Sequence, residues 1–245
     1  MSMTDLVAAE WLKVRTTRVL YGMVPAAAAI STAAVAGAVL AMDDAELGST
    51  GGIERGFSVT GAGAVVVLVL GILVSAGEDR HGTIGDTYLT TPRRHRVIAA
   101  KLILAAALGL GAGALICVAS LTTASLLYAS QGATFPLGDG EVWRTLVGTL
   151  AYSTLFAVLG AGVGALARNQ VLAVAGALTW FAVVEHTLVN LVPSIGRWLP
   201  AGAGQAIVRT PIDGLLSPAA GMAVLAVYAA AIAAAAIRIE SMRDV

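Results

Sequence analysis

The sequence predicts an all-α, polytopic integral membrane protein with six transmembrane helices and both termini in the cytoplasm. Three observations carry that expectation. First, 58% of the 245 residues are hydrophobic and only 12% are charged, about half the charged share of an ordinary soluble domain. Mean hydropathy is +0.84, and a water-soluble fold of this size has no way to cover so much apolar surface. Second, the apolar residues gather into runs long enough for a hydrocarbon core roughly 30 Å thick: residues 19–41, 57–77, 102–130, 143–167, 171–192 and 219–237. Third, Lys and Arg divide unevenly between the two sides that six crossings define. One side holds 11 of them (Lys13, Arg15, Arg18, Arg80, Arg93, Arg94, Arg96, Lys101, Arg168, Arg238, Arg243) and the other 4 (Arg55, Arg144, Arg197, Arg209). Basic residues near span ends stay in the cytoplasm, so the side with both termini is the inner one. No linker or long repeat divides the chain, which reads as one domain over residues 1–245.

Residues 1–18 mix charges with Leu6, Val7, Trp11 and Val14. Ser2 followed by Asp5 marks a helix start. Val7, Trp11 and Val14 share a face while Glu10 and Lys13 point elsewhere, predicting a short helix on the inner membrane surface with Trp11 at headgroup level; the alternative is a frayed tail. The run after it is too long for the apolar stretch of a cleavable signal peptide, so it is read as span one, with Pro25 tolerated near its start. Residues 43–55, acidic and Gly-rich, are expected to form a loop before span two.

Residues 78–101 form the longest charged interruption in the chain. Thr83 to Leu89 has the makings of a short helix, weakened by Gly85. Thr91-Pro92 reads as an N-cap followed by proline at the first helical position. Helix three is then expected to begin in the cytosol with the basic cluster and to run to about Ser130. Residues 131–141 read as an outer loop and Arg168-Asn169-Gln170 as an inner turn. Residues 193–218 mix apolar, charged and helix-breaking residues, which predicts a re-entrant or interfacial helical hairpin on the outer side.

Several chemistries lack their residues. Zero net charge gives no footing for a nucleic-acid partner. The two lysines, Lys13 and Lys101, do not follow glycine, so there is no phosphate-binding loop. His81, His95 and His186 are too scattered for a zinc site, and the single Cys117 lies in an apolar stretch. Glu185-His186 is the notable ionisable pair in an apolar span and a candidate substrate or proton site. The competing reading places it at the wet outer rim or in a structural hydrogen bond between helices. Gly109–Gly113 and Gly160–Gly164 permit close helix approach, within the protomer first and in a dimer second. Ser120, Thr122, Thr123 and Ser125 either line a polar path or bond their own helix.

Taken together, several features make the chain similar to the permease subunits of ABC-2 type ATP-binding-cassette transporters, in the style of actinobacterial multidrug and antibiotic exporters. These are the leading helix EWLKVRTTR, the segment Glu78…Gly82-Thr83-Ile84…Thr91-Pro92-Arg93-Arg94…Arg96…Lys101, the six-span plan, and the broken outer segment RWLPAGAGQAI. The resemblance covers essentially the whole chain. It implies that Glu78 to Thr91 contains a coupling helix docking on a separate ATPase, with Glu78, Asp79, Gly82, Thr83, Ile84, Thr87, Leu89, Pro92, Arg93 and Arg94 as the coupling residues. It further implies two ATPase subunits holding ATP and magnesium, a second permease subunit as homo- or heterodimer, and residence in a bacterial plasma membrane. This chain itself is then no enzyme and binds no cofactor. Two other classes are weighed against it: a proton-coupled carrier using Glu185 and His186, and a non-transporting membrane scaffold or immunity protein.

Overall fold

The computed structural model describes residues 2–47, 49–81, 94–167 and 169–242, and among them every regular element is helical. In chain order these are α1 (Met3–Thr16), α2 (Val19–Leu40), α3 (Asp44–Leu47), α4 (Thr50–Ser58), α5 (Ala64–His81), α6 (Arg94–Ser130), α7 (Gly140–Ala167), α8 (Gln170–Leu178), α9 (His186–Leu191), α10 (Pro193–Gly196), α11 (Pro200–Ile207) and α12 (Pro218–Met242). A 3₁₀ turn at Val59–Gly63 joins α4 to α5, and a π-helical stretch at Thr179–Glu185 joins α8 to α9. Six helical stretches are long and apolar enough to cross a membrane: Val19–Leu40, Gly51–Gly77, Arg94–Ser130, Gly140–Ala167, Gln170–Leu191 and Pro218–Met242. Their order and number match the expectation, and the architecture is that of a multi-pass membrane protein.

The second span is the axis of the bundle. It is 72% buried, against 22% for the fifth and sixth spans, so neighbours surround it while the late spans present most of their surface outward. Small residues make this possible. A Cβ added at Gly160 on α7 would lie 2.0 Å from the Leu68 carbonyl oxygen of α5, and one at Gly71 on α5 would lie 2.1 Å from the Ala157 carbonyl oxygen. Where α6 meets α7, a Cβ at Gly109 would stand 2.6 Å from that of Ala157. Both small-xxx-small patterns are therefore spent on packing inside the protomer. Phe156, Leu68, Ile72, Leu159 and Leu225 fill the remaining core, all at 0% exposure. Between α2 and the 3₁₀ turn, the Gly63 N–H donates to buried Ser31 Oγ at 2.9 Å, satisfying an amide that the tight turn leaves open.

Several details differ from the expectation. Residues 43–55 are not a loop: Asp43 and Ser49 accept from the Glu46 and Gly52 amides at 2.8 and 3.0 Å and start α3 and α4. Leu47, Ile53 and Phe57 then close over Tyr128 and Phe135, so buried apolar area outweighs the poor helix propensity of the glycines. Span five is not uniformly α-helical. α12 continues past the sixth apolar run through Met242, with Glu240 buried at 4%.

On α1 the buried residues are Leu6, Glu10 and Val14, while Trp11 and Leu12 are exposed. The face expected to join Val7, Trp11 and Val14 is split: Val14 turns inward beside Glu10, which a buried charge partner holds, while Trp11 points outward. Ser120 is buried, whereas Thr122 and Ser125 donate to the Val118 and Leu121 carbonyls of their own helix.

The close α5–α7 contact predicts that Gly160→Leu costs about 3 kcal/mol or more through overpacking. Gly176→Leu, where an added Cβ meets open space, should leave stability nearly unchanged. Thermal unfolding of both variants in the same detergent checks the contrast.

Candidate functional site

The end of the bundle that carries α1 is organised by two acidic and basic side chains out of water. α1 starts in a capping box: the Asp5 amide donates to Ser2 Oγ at 3.1 Å and the Ser2 amide to Asp5 Oδ2 at 2.8 Å. The Ser2 hydroxyl and then the Ser2 amide hold the Asp5 carboxyl below its ordinary range. Two turns on, Glu10 is 4% exposed. Its Oε2 accepts from Lys101 Nζ of α6 at 2.9 Å and its Oε1 from Lys13 Nζ at 2.6 Å. Lys101 is 1% exposed, and its ammonium also reaches the Val74 carbonyl of α5 at 3.5 Å. Val14 packs beside this pair against Leu70, Val74, Leu104 and Leu108. One ammonium therefore ties together α1, the end of α5 and the beginning of α6.

That junction frames the segment expected to couple to an ATPase. Glu78 and Asp79 fall in the last turns of α5, and Arg94 opens α6. Gly82, Thr83, Ile84, Thr87, Leu89, Pro92 and Arg93 lie outside the described residues. The elements on both sides of residues 82–93 are thus brought to the same end as α1, each joined to it through Lys101.

Neither Glu10 nor Lys101 stands out in the sequence, where Glu10 points away from the face of Val7, Trp11 and Val14 and Lys101 closes the basic run. A signal was present. Leu6, Glu10 and Val14 recur at four-residue spacing, and Lys101 stands alone between Ala99-Ala100 and Leu102-Ile103. A lone lysine in an apolar helix needs an acid from elsewhere in the fold.

The second candidate, Glu185, is 0% exposed at the end of the π-helical stretch. In an α-helix residues five apart point about 140° from each other, whereas the wider π turn aligns them. Trp180 Nε1–H accordingly donates to Glu185 Oε1. Glu185 Oε2 accepts the Ala201 amide at 2.6 Å. Ala201 is the second residue of α11, whose N-cap Leu199 supplies no side-chain acceptor, so the carboxylate caps α11 from a distant helix. Both oxygens are committed within the fold. His186 is exposed and turned away, so the structure does not unite the pair.

α11 is buried almost throughout: a Cβ at Gly204 would lie 2.1 Å from the Tyr152 ring of α7, and one at Gly221 of α12 would lie 2.6 Å from the Ala203 carbonyl oxygen. The chain leaves this helix through Arg209, whose φ of 58° is unusual for a non-glycine residue. Arg209 Nη1 donates to Glu141 Oε2 of α7 at 2.7 Å, and Arg144 pairs with the other Glu141 oxygen. Among the described residues no group of three His, Cys, Asp or Glu side chains is placed to hold a metal.

No known family model matches this chain, and no curated protein matches it.

The capping role predicts that Glu185→Ala destabilises the protein by about 2–3 kcal/mol, since two donors lose their acceptor where water does not reach. Glu185→Gln, which keeps one acceptor oxygen, should cost about half as much. Thermal unfolding in detergent checks this; unchanged stability of Glu185→Ala would contradict the capping role.

Proposed function

We propose that this chain is the membrane-spanning subunit of an ATP-binding-cassette exporter of the ABC-2 type. In this reading it sits in a bacterial plasma membrane with both termini in the cytoplasm. It pairs with a second permease subunit and takes its energy from two copies of a separate ATPase that hold ATP and magnesium. The observation that carries the proposal is the three-way junction of Glu10, Lys101 and the Val74 carbonyl. It makes the inner ends of spans two and three and the surface helix one stiff base, with residues 82–93 connecting its two long helices. α6, at 37 residues, is about 56 Å long at 1.5 Å per residue. That exceeds a hydrocarbon core of roughly 30 Å, so its basic first turns project into the cytoplasm.

A push on such a base moves two spans together instead of bending one loop. Closure of the partner ATPases displaces residues 79–91, and α5 and α6 carry that displacement into the bundle. The central span is packed against α7 with almost no free volume, so the movement is transmitted as a rigid shift of α5 against its neighbours. Two such chains then open a route between them to the outer side. Arg93, Arg94 and Arg96 pair with acidic groups of the ATPase or with anionic headgroups. The proton-coupled carrier loses its main support, because Glu185 is already used to cap α11 and bind Trp180.

The test is purification from the native membrane in mild detergent, followed by an ATPase assay. A stoichiometric ATPase subunit should accompany the chain and be lost when Gly82 or Thr83 is replaced by Trp, with the permease still folded. Repeated recovery of this chain with no ATPase, under conditions that keep it folded, would contradict the proposal.

A further inference from the structure

The rotation of α1 about its axis carries an inference independent of the transport reading. Hydrophobic spacing puts Trp11 on one face with Val7 and Val14, but the Glu10–Lys101 pair turns Glu10 and Val14 inward and leaves Trp11 at 43% and Leu12 at 60% exposure. Arg15 lies four residues after Trp11 and three after Leu12, on the same exposed face. Two residues past the end of α1, exposed Arg18 precedes span one, and Tyr21, 70% exposed, follows within its first turn. Neither Arg15 nor Arg18 has an ion-pair partner among the described residues, while Lys13 on the other flank is taken by Glu10.

We propose that this face of α1 is an interaction surface for anionic phospholipid, with Trp11 and Leu12 entering the acyl boundary and Arg15 and Arg18 binding headgroup phosphates. Three features select this occupant. The charge is basic at the end of α1 that adjoins the span, and the acidic residue of the capping box, Asp5, is at the far end. The connection to span one is only two residues, Thr17 and Arg18, so the C-terminal end of α1, which carries Arg15, stays beside the start of that span. An indole and an aliphatic side chain flanked by guanidinium groups match the layered polarity of a headgroup region, and guanidinium binds phosphate oxygens in pairs.

The test uses the full chain in nanodiscs whose phosphatidylglycerol or phosphatidylcholine is brominated near the headgroup. The difference in tryptophan quenching between the unaltered protein and W11F isolates Trp11. Quenching should reach half its maximum at a several-fold lower fraction of brominated phosphatidylglycerol than of phosphatidylcholine, with each arginine contributing up to roughly fivefold, from the attraction of basic side chains to an anionic surface. R15Q and R18Q should each reduce that preference and R15Q/R18Q should abolish it. Equal midpoints for the two lipids in the unaltered protein would overturn the proposal. So would the absence of quenching by either lipid, which would place protein or water on this face. An ATPase partner, present or absent, does not alter these outcomes.

Discussion

A glutamate from one end of the chain and a lysine 91 residues later meet out of water, and the organisation of this end of the bundle depends on their meeting. Removing two charges from water costs several kcal/mol each unless geometry repays it. Here the repayment is specific: both Glu10 oxygens are occupied, and Lys101 adds a backbone carbonyl to its carboxylate. The pair therefore acts less as a source of stability than as a register pin. It decides which face of α1 turns inward, and it holds the ends of α5 and α6 at fixed separation.

The opposite end is held by a different arrangement of the same kind. Glu185 caps α11 from the fifth span, and Arg209 ties the exit of that helix to Glu141. Between these ends, α5, α6 and α7 touch through glycine and alanine, with backbone oxygens where larger side chains would stand. Such contacts change little by continuous deformation, so displacement at one end of α5 is passed along the helix. Polar junctions at both ends and a close-packed apolar middle thus give a body in which the peripheral spans, less buried, are freer to shift than the central one.

Much of this was legible in the sequence, because hydropathy is a direct readout of which residues tolerate lipid. The six spans fall where the apolar runs placed them, and Asn169 starts α8 at the expected turn by accepting the Leu172 amide at 3.1 Å. The short helices between the fifth and sixth spans were readable from the density of proline and glycine between residues 193 and 218. What was not legible depended on partners distant in sequence. Residues 43–55 look like a loop until Phe57 and Leu47 find Tyr128 and Phe135. Glu10 looks like a surface residue until Lys101 is beside it. The π-helical stretch has no local signature, since it is favoured by the side-chain bond from Trp180 to Glu185 and by the cap on α11. Of the coupling residues read from resemblance, the structure describes only the frame on either side.

The most direct measurement of the central claim, that this pair organises the base of the bundle, is a double-mutant cycle on Glu10 and Lys101, read by thermal unfolding in detergent. Glu10→Met takes the Glu10 carboxylate away from the buried Lys101 ammonium and should cost about 3–5 kcal/mol. Lys101→Met should cost less, because Lys13 still pairs with Glu10. Glu10→Met combined with Lys101→Met should recover most of the loss, giving strong non-additivity between the two positions. If instead both single variants are tolerated and their effects simply add, the pair does not hold α1 to α5 and α6, and the account of a stiff base is wrong.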